Sequence, residues 1–163
     1  MNLQRLLQTD GSTVPLLLRL AVGGVLLPHG LQKAFGLFGG YGFEATVGFF
    51  TQTMGLPWII AVLVVLIESL GALALIAGVL TRPAALGVLA VMIGAVVTVH
   101  APHGFFMNWS GAQGGEGFEY HLLMSAMGVG LVVAGGGRYA VDAWIAERLP
   151  ASTEAGAAVA EPA

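Results

Sequence analysis

The chain has 163 residues, 56% hydrophobic and only 9% charged, and its mean hydropathy is +0.85. Soluble domains carry roughly a quarter charged residues, so this is an integral membrane protein. A net charge of -3 gives no basic footprint for nucleic acid, and with no cysteine the chain itself offers no disulfide, thiolate metal site, iron–sulfur cluster or sulfur relay.

Residues 1–13 read as a short polar lead without the apolar core and cleavage site of a signal peptide, so the first span is expected to be retained. That span is predicted over 14–34. From Val14 to Leu31 it is apolar apart from Arg19 and the Pro28-His29 pair, and about twenty helical residues cross the hydrocarbon core at roughly 1.5 Å each. If the helix continues through Pro28, Arg19, His29 and Lys33 fall within an arc of about 80° and form a polar stripe facing something other than lipid.

A glycine-rich, aromatic-rich stretch follows, suited to a membrane interface, with a short interfacial helix expected over 44–54. The second span is predicted over 58–78, with Glu68 near its middle. Thr81-Arg82-Pro83 is a tight turn into a third span over 84–100, where Ala90, Gly94 and Thr98 recur every four residues as an expected close-packing face. A second glycine-rich loop leads to the fourth span, 119–135, with Ala126, Gly130 and Ala134 as a similar ladder. Residues 136–149 have the spacing of an amphipathic surface helix, and 150–163 form an Ala/Glu/Pro tail with nothing to bury. The expected fold is all-α, an integral membrane four-helix bundle. Arg5, Arg82, Arg138 and Arg148 fall on one side and Lys33 on the other, which puts both termini in the cytoplasm.

Three groups of side chains carry candidate chemistry. Counted inward from Leu31 and Trp58, Arg19 and Glu68 match in depth within about 3 Å, which predicts a structural ion pair between the first two spans. Glu68 could alternatively carry a proton or contact a quinone head group. His29 and Lys33 share a face near the outer end of the first span. Either they belong to a kinked helix with a snorkelling lysine, or they form a site for an anion or a quinone carbonyl. His100, His103, Glu116, Glu119 and His121 lie close together in sequence, yet their spacing matches no metal motif, so no metal site is assigned and a hydrogen-bond network is expected. Glu119 shares a face with Ala126, Gly130 and Ala134 and is expected to point into the bundle, with His121 roughly 160° away. A shared pocket of His29, Lys33, His100, His103 and Glu119 follows, under a lid of Phe105, Phe106 and Trp109.

The run RLAVGGVLLPHGLQKAFG from Arg19 to Gly36 resembles the first-helix signature of the DoxX family. Glu68-Ser69-Leu70-Gly71-Ala72, His100-Ala101-Pro102-His103-Gly104-Phe105-Phe106 and Gly117-Phe118-Glu119-Tyr120 continue the resemblance in family order, so that it covers about Leu16 to Asp142. It implies a small four-helix protein of a bacterial or archaeal plasma membrane, associated with respiratory, sulfur or oxidative-stress redox systems.

The expected function is a subunit of a quinone-linked membrane oxidoreductase. His29, Lys33 and Glu68 would form the quinone or anion pocket, and Glu119 or a histidine of the His100/His103 pair would move the accompanying proton. The alternative is a non-catalytic anchor or assembly subunit whose partners are membrane lipid and a redox protein or a second copy of itself. A proton or solute carrier is disfavoured, since no broken-helix pair or inverted repeat is visible.

Overall fold

A computed structural model describes residues 3–149, all-helical and without a strand among them. The elements are α1 (Leu3–Leu7), α2 (Thr13–Phe35), α3 (Gly42–Gly48), α4 (Trp58–Ala77), α5 (Thr81–His103), α6 (Glu119–Ala134) and α7 (Val141–Ala146). The predicted tail over 150–163 lies outside the described residues.

By length and composition α2, α4 and α5 suffice to cross a membrane, and α6 is an apolar helix of 16 residues packed beside them. Their shared core is Val22 and Leu26 of α2, Ala72 and Leu75 of α4, Ala85 and Val88 of α5, and Met124 and Leu131 of α6. α2 runs through Pro28 without a break, because the proline costs one intrahelical bond while its neighbours keep theirs. It starts where the Ser12 hydroxyl accepts from the Val14 N–H at 3.2 Å. It stops at Gly36, whose φ of 73° only glycine adopts cheaply and whose N–H returns to the Gln32 carbonyl.

Three wide turns with i→i+5 bonding interrupt the helices: Phe49–Thr53 after α3, Ile67–Gly71 inside α4, and Val96–His100 inside α5. Each adds a residue to one turn and redirects the side chains beyond it, and such turns are frequent at functional sites. Glu68 and His100 both sit in one.

The two ends of the bundle differ. One, the loop end, carries residues 36–57 and 104–118. The other, the arginine end, is held by two guanidinium groups. Arg19 donates to the carbonyls of Leu75 (3.2 Å), Gly136 (3.0 Å), Arg138 (3.3 Å) and Ile76. Arg82 donates to those of Leu6 (3.0 Å), Val132 (3.0 Å), Val133 (3.2 Å) and Gln8. Both gather carbonyls from helix ends and from the turns that follow them, where a cation is favoured. The α4–α5 corner forces Leu80 to a φ of 46°, and Asp142 of α7 holds it by accepting from the Leu80 and Thr81 N–H groups at 2.7 and 2.8 Å.

Two packing expectations change. Ala90, Gly94 and Thr98 are exposed, and α5 buries Ala85, Val88, Val91 and Met92 instead. On α6 the buried residues are His121, Met124, Gly128 and Leu131, while Ala126 is exposed. In both helices bulky side chains supply most of the buried area, and it is Gly128 that admits Leu89 of α5.

Candidate functional site

The predicted Arg19–Glu68 pair does not form. Glycines set the register between α2 and α4: a Cβ on Gly23 would stand 2.8 Å from the Ala72 carbonyl oxygen, and one on Gly30 would overlap the Glu68 backbone. Gly30 therefore lies beside Glu68. Arg19 is eleven residues further down α2, about 16 Å of helical rise, level with the end of α4. Counting depth from the span ends failed because α4 begins beyond the end of α2. The partner of Glu68 is Lys33, with Nζ 2.5 Å from Oε2 and the two side chains 25% and 8% exposed. Lys33 stands one helical turn beyond Gly30 on α2, and that close approach lets the ammonium reach across.

This ion pair lines a cavity of about 610 Å³ between the loop-end parts of α4 and α5. The surrounding wall is mainly hydrocarbon, including Ile60, Leu63, Val64 and Ile67 of α4 and Val91, Ala95 and Val99 of α5. α2 adds His29 and Lys33, the wide turns of α4 and α5 add Glu68 and His100, and α6 adds Tyr120 and His121.

These polar groups differ in how far they are already satisfied. His29 is exposed to the cavity and makes no hydrogen bond among the described residues. His100 Nδ1 lies 2.8 Å from the Glu116 carbonyl oxygen. It must donate there, so in the neutral ring Nε2 carries the lone pair. The His100 and His121 rings stand 4.1 Å apart, with Tyr120 edge-on to His121 at 5.2 Å. His121 Nδ1 and the Tyr120 hydroxyl are buried without a partner among the described residues. A buried polar atom left in this state costs about 1–3 kcal/mol. A ligand with matching donors and acceptors would remove that cost.

Of the five residues expected to share a pocket, His29, Lys33 and His100 line the cavity. Glu119 and His103 do not. The Glu119 carboxylate accepts from the Met107 N–H at 3.0 Å and the Trp109 indole at 3.3 Å, so it fastens the loop instead of facing the bundle. His103 packs against Gly115, where a side chain would collide with its ring. Phe105, Phe106 and Trp109 are absent from the lining, and Phe105 stacks edge-on against Phe106 and Phe118. Sequence reasoning left His121 and Tyr120 out of the pocket. The signal for His121 was its i, i+3, i+7, i+10 spacing with Met124, Gly128 and Leu131. No group of three or more His, Asp or Glu side chains among the described residues has metal-binding geometry.

A family model described as DoxX matches residues 14–101, which hold the three long helices up to the start of the His100–Phe106 motif. The protein named "Putative oxidoreductase CatD" of Bacillus subtilis (strain 168) is 31% identical over 116 residues, covering 71% of this chain and 76% of that relative. No solved structure matches the chain. The four-part motif, the helical membrane architecture and the family-model match agree: the chain belongs to the DoxX family.

Proposed function

We propose that the chain is a quinone-linked subunit of a membrane oxidoreductase and that the cavity beside α4 and α5 holds the quinone head group. The observation that carries this reading is the Lys33–Glu68 pair, set with His29 and the unpartnered His121 nitrogen in a wall of hydrocarbon. A buried ion pair is weak support for stability, since its desolvation offsets most of its attraction, so its presence at a cavity wall points to a ligand.

A quinone, when bound, supplies a two-electron, two-proton couple. The Lys33 ammonium and His29 donate hydrogen bonds toward carbonyl oxygen and stabilise negative charge as it develops. His121 Nδ1 would accept or return one of the two accompanying protons and the Glu68 carboxylate the other, both groups lining the same cavity. Electrons exchange with a redox protein partner, in keeping with the name of the Bacillus subtilis relative. In this reading α6 completes a four-span bundle in a bacterial or archaeal plasma membrane. Arg82, Arg138 and Arg148 mark the cytoplasmic face by the positive-inside rule.

Gentle purification in detergent, followed by extraction and assay of quinone and co-purifying proteins, tests the proposal. Bound quinone that is lost in His29→Ala, with the amount of inserted protein unchanged, supports it. An anchoring role is the second reading, favoured by Tyr41 and Trp109, 86% and 88% exposed in the two loops. A quinone-free bundle that brings down a soluble redox protein would replace the first reading with the second.

A further inference from the structure

α4 and α5 leave their corner packed together, Ile67–Ala77 against Thr81–Ala95, and then separate toward the loop end. The gap between them is one open side of the cavity, which Phe50, Met107 and Glu116 border toward the loops. On its α5 edge Ala90, Gly94 and Thr98 are exposed, and on its α4 edge Ile60 and Leu63 are each 42% exposed. All five belong to helices of membrane-crossing length and composition. Gly94 is nine residues short of the end of α5, about 14 Å of rise, so the gap opens at hydrocarbon depth.

The edges of this gap are dry in chemical terms. Thr98 is its single polar side chain, and its hydroxyl already donates to the Gly94 carbonyl at 2.8 Å. A Cβ on Gly94 would meet nothing within 4 Å, so a glycine here serves no contact within the chain. Deeper in the same cavity stand the Lys33–Glu68 pair and His121, 6% exposed, with its Nδ1 unpartnered among the described residues. A water-borne ion gains nothing from a hydrocarbon approach to polar groups. A molecule with a compact polar head and a long hydrocarbon tail is matched at both ends.

The geometry points to sideways access from the bilayer: the ligand is a long-tailed lipid-phase molecule whose head meets Lys33, Glu68 and His121 and whose tail leaves between α4 and α5 across Ala90, Gly94 and Thr98. This rests on the quinone reading of the same cavity and adds the tail, its route and the residues that select it. Ala90 and Gly94 are specificity-determining residues, because only small side chains there keep the gap open.

The test compares two probes on the full chain in lipid nanodiscs: ubiquinone with a ten-unit isoprenoid tail, and the same dimethoxy-methyl-benzoquinone ring without a tail. Gly94→Leu is the variant, placed where open space and better helix propensity favour normal folding. Partitioning of the tail into lipid is common to wild type and variant and cancels in their ratio. Gly94→Leu is expected to weaken the tailed probe by about tenfold or more and to leave the tail-less ring unchanged. Equal effects on both probes, or on neither, overturn the sideways route while ring binding to wild type keeps the quinone reading. Failure of both probes to bind wild type overturns the quinone reading and this inference with it. If Gly94→Leu leaves both affinities intact and turns a dimer into a monomer by light scattering, the strip is a helix–helix seam and the route is overturned.

Discussion

Lys33 and Glu68 meet across α2 and α4 at 2.5 Å, each being the other's charged partner at the cavity wall. Lys33→Met leaves a buried carboxylate uncompensated and is expected to cost about 3–5 kcal/mol, whereas Lys33→Met combined with Glu68→Gln removes both charges and recovers much of that loss. Unfolding of wild type, Lys33→Met, Glu68→Gln and the double variant in detergent, set out as a double-mutant cycle, measures the coupling. Additive effects would show that the pair does not form.

Gly30 controls that meeting. A Cβ there overlaps the Glu68 backbone, while one on Gly24 meets nothing within 4 Å. Gly30→Ala is expected to push α2 off α4 and destabilise by about 1–3 kcal/mol or more, and Gly24→Ala to be neutral or slightly stabilising. Melting temperatures of the two variants, less than two turns apart on the same helix, decide whether close approach or flexibility is the function of Gly30.

Arg19 is remote from the cavity, fourteen residues and about 21 Å of rise from Lys33. Arg19→Met removes the donor to four carbonyls, of which Leu75 keeps a bond from the Gly78 N–H, and is expected to lose about 1.5–3 kcal/mol for each strong bond left unreplaced. Arg19→Lys keeps the charge but not the fork, and should rescue only part. Ligand bound per folded molecule is expected to stay unchanged in both, which extraction from the folded fraction would check.

Asp142 stands at the end of a corner that forces Leu80 into the left-handed region. Asp142→Ala removes the acceptor for two N–H groups, at an expected cost of about 1–2 kcal/mol. Hydrogen exchange at the Leu80 and Thr81 amides should accelerate more than at Val88, in the middle of α5. Uniform acceleration along α5 would mean that the corner does not depend on Asp142.

The helices, the aromatic loops and the family were legible in the sequence, because apolar length and local motifs are properties of a stretch read by itself. The pairing of elements was not. An arc of 80° across Arg19, His29 and Lys33 gives a direction but no depth, and the structure divides that stripe between a backbone clamp and a cavity. Ala90, Gly94 and Thr98 permit a close approach, but the structure leaves them exposed at the cavity edge, because small residues allow a contact without dictating that a neighbouring helix makes it. Glu119 and His121 were exchanged for the same kind of reason. A carboxylate in the first turn of a helix is well placed to bind loop N–H groups, and that local demand outweighed its position on the helical wheel.

The Arg19 clamp also orders events during synthesis. Two of its acceptors, Leu75 and Ile76, belong to α4, but Gly136 and Arg138 follow α6, and the bond to Gly136 spans 117 residues. At about 5–20 residues per second, the ribosome needs roughly 6–23 s to deliver them after Arg19 has been made. Until then its guanidinium has at most the α4 carbonyls of Leu75 and Ile76 from this set of acceptors. The turn after α6 thus acts as a latch whose arrival seals the first charge placed within a long apolar helix.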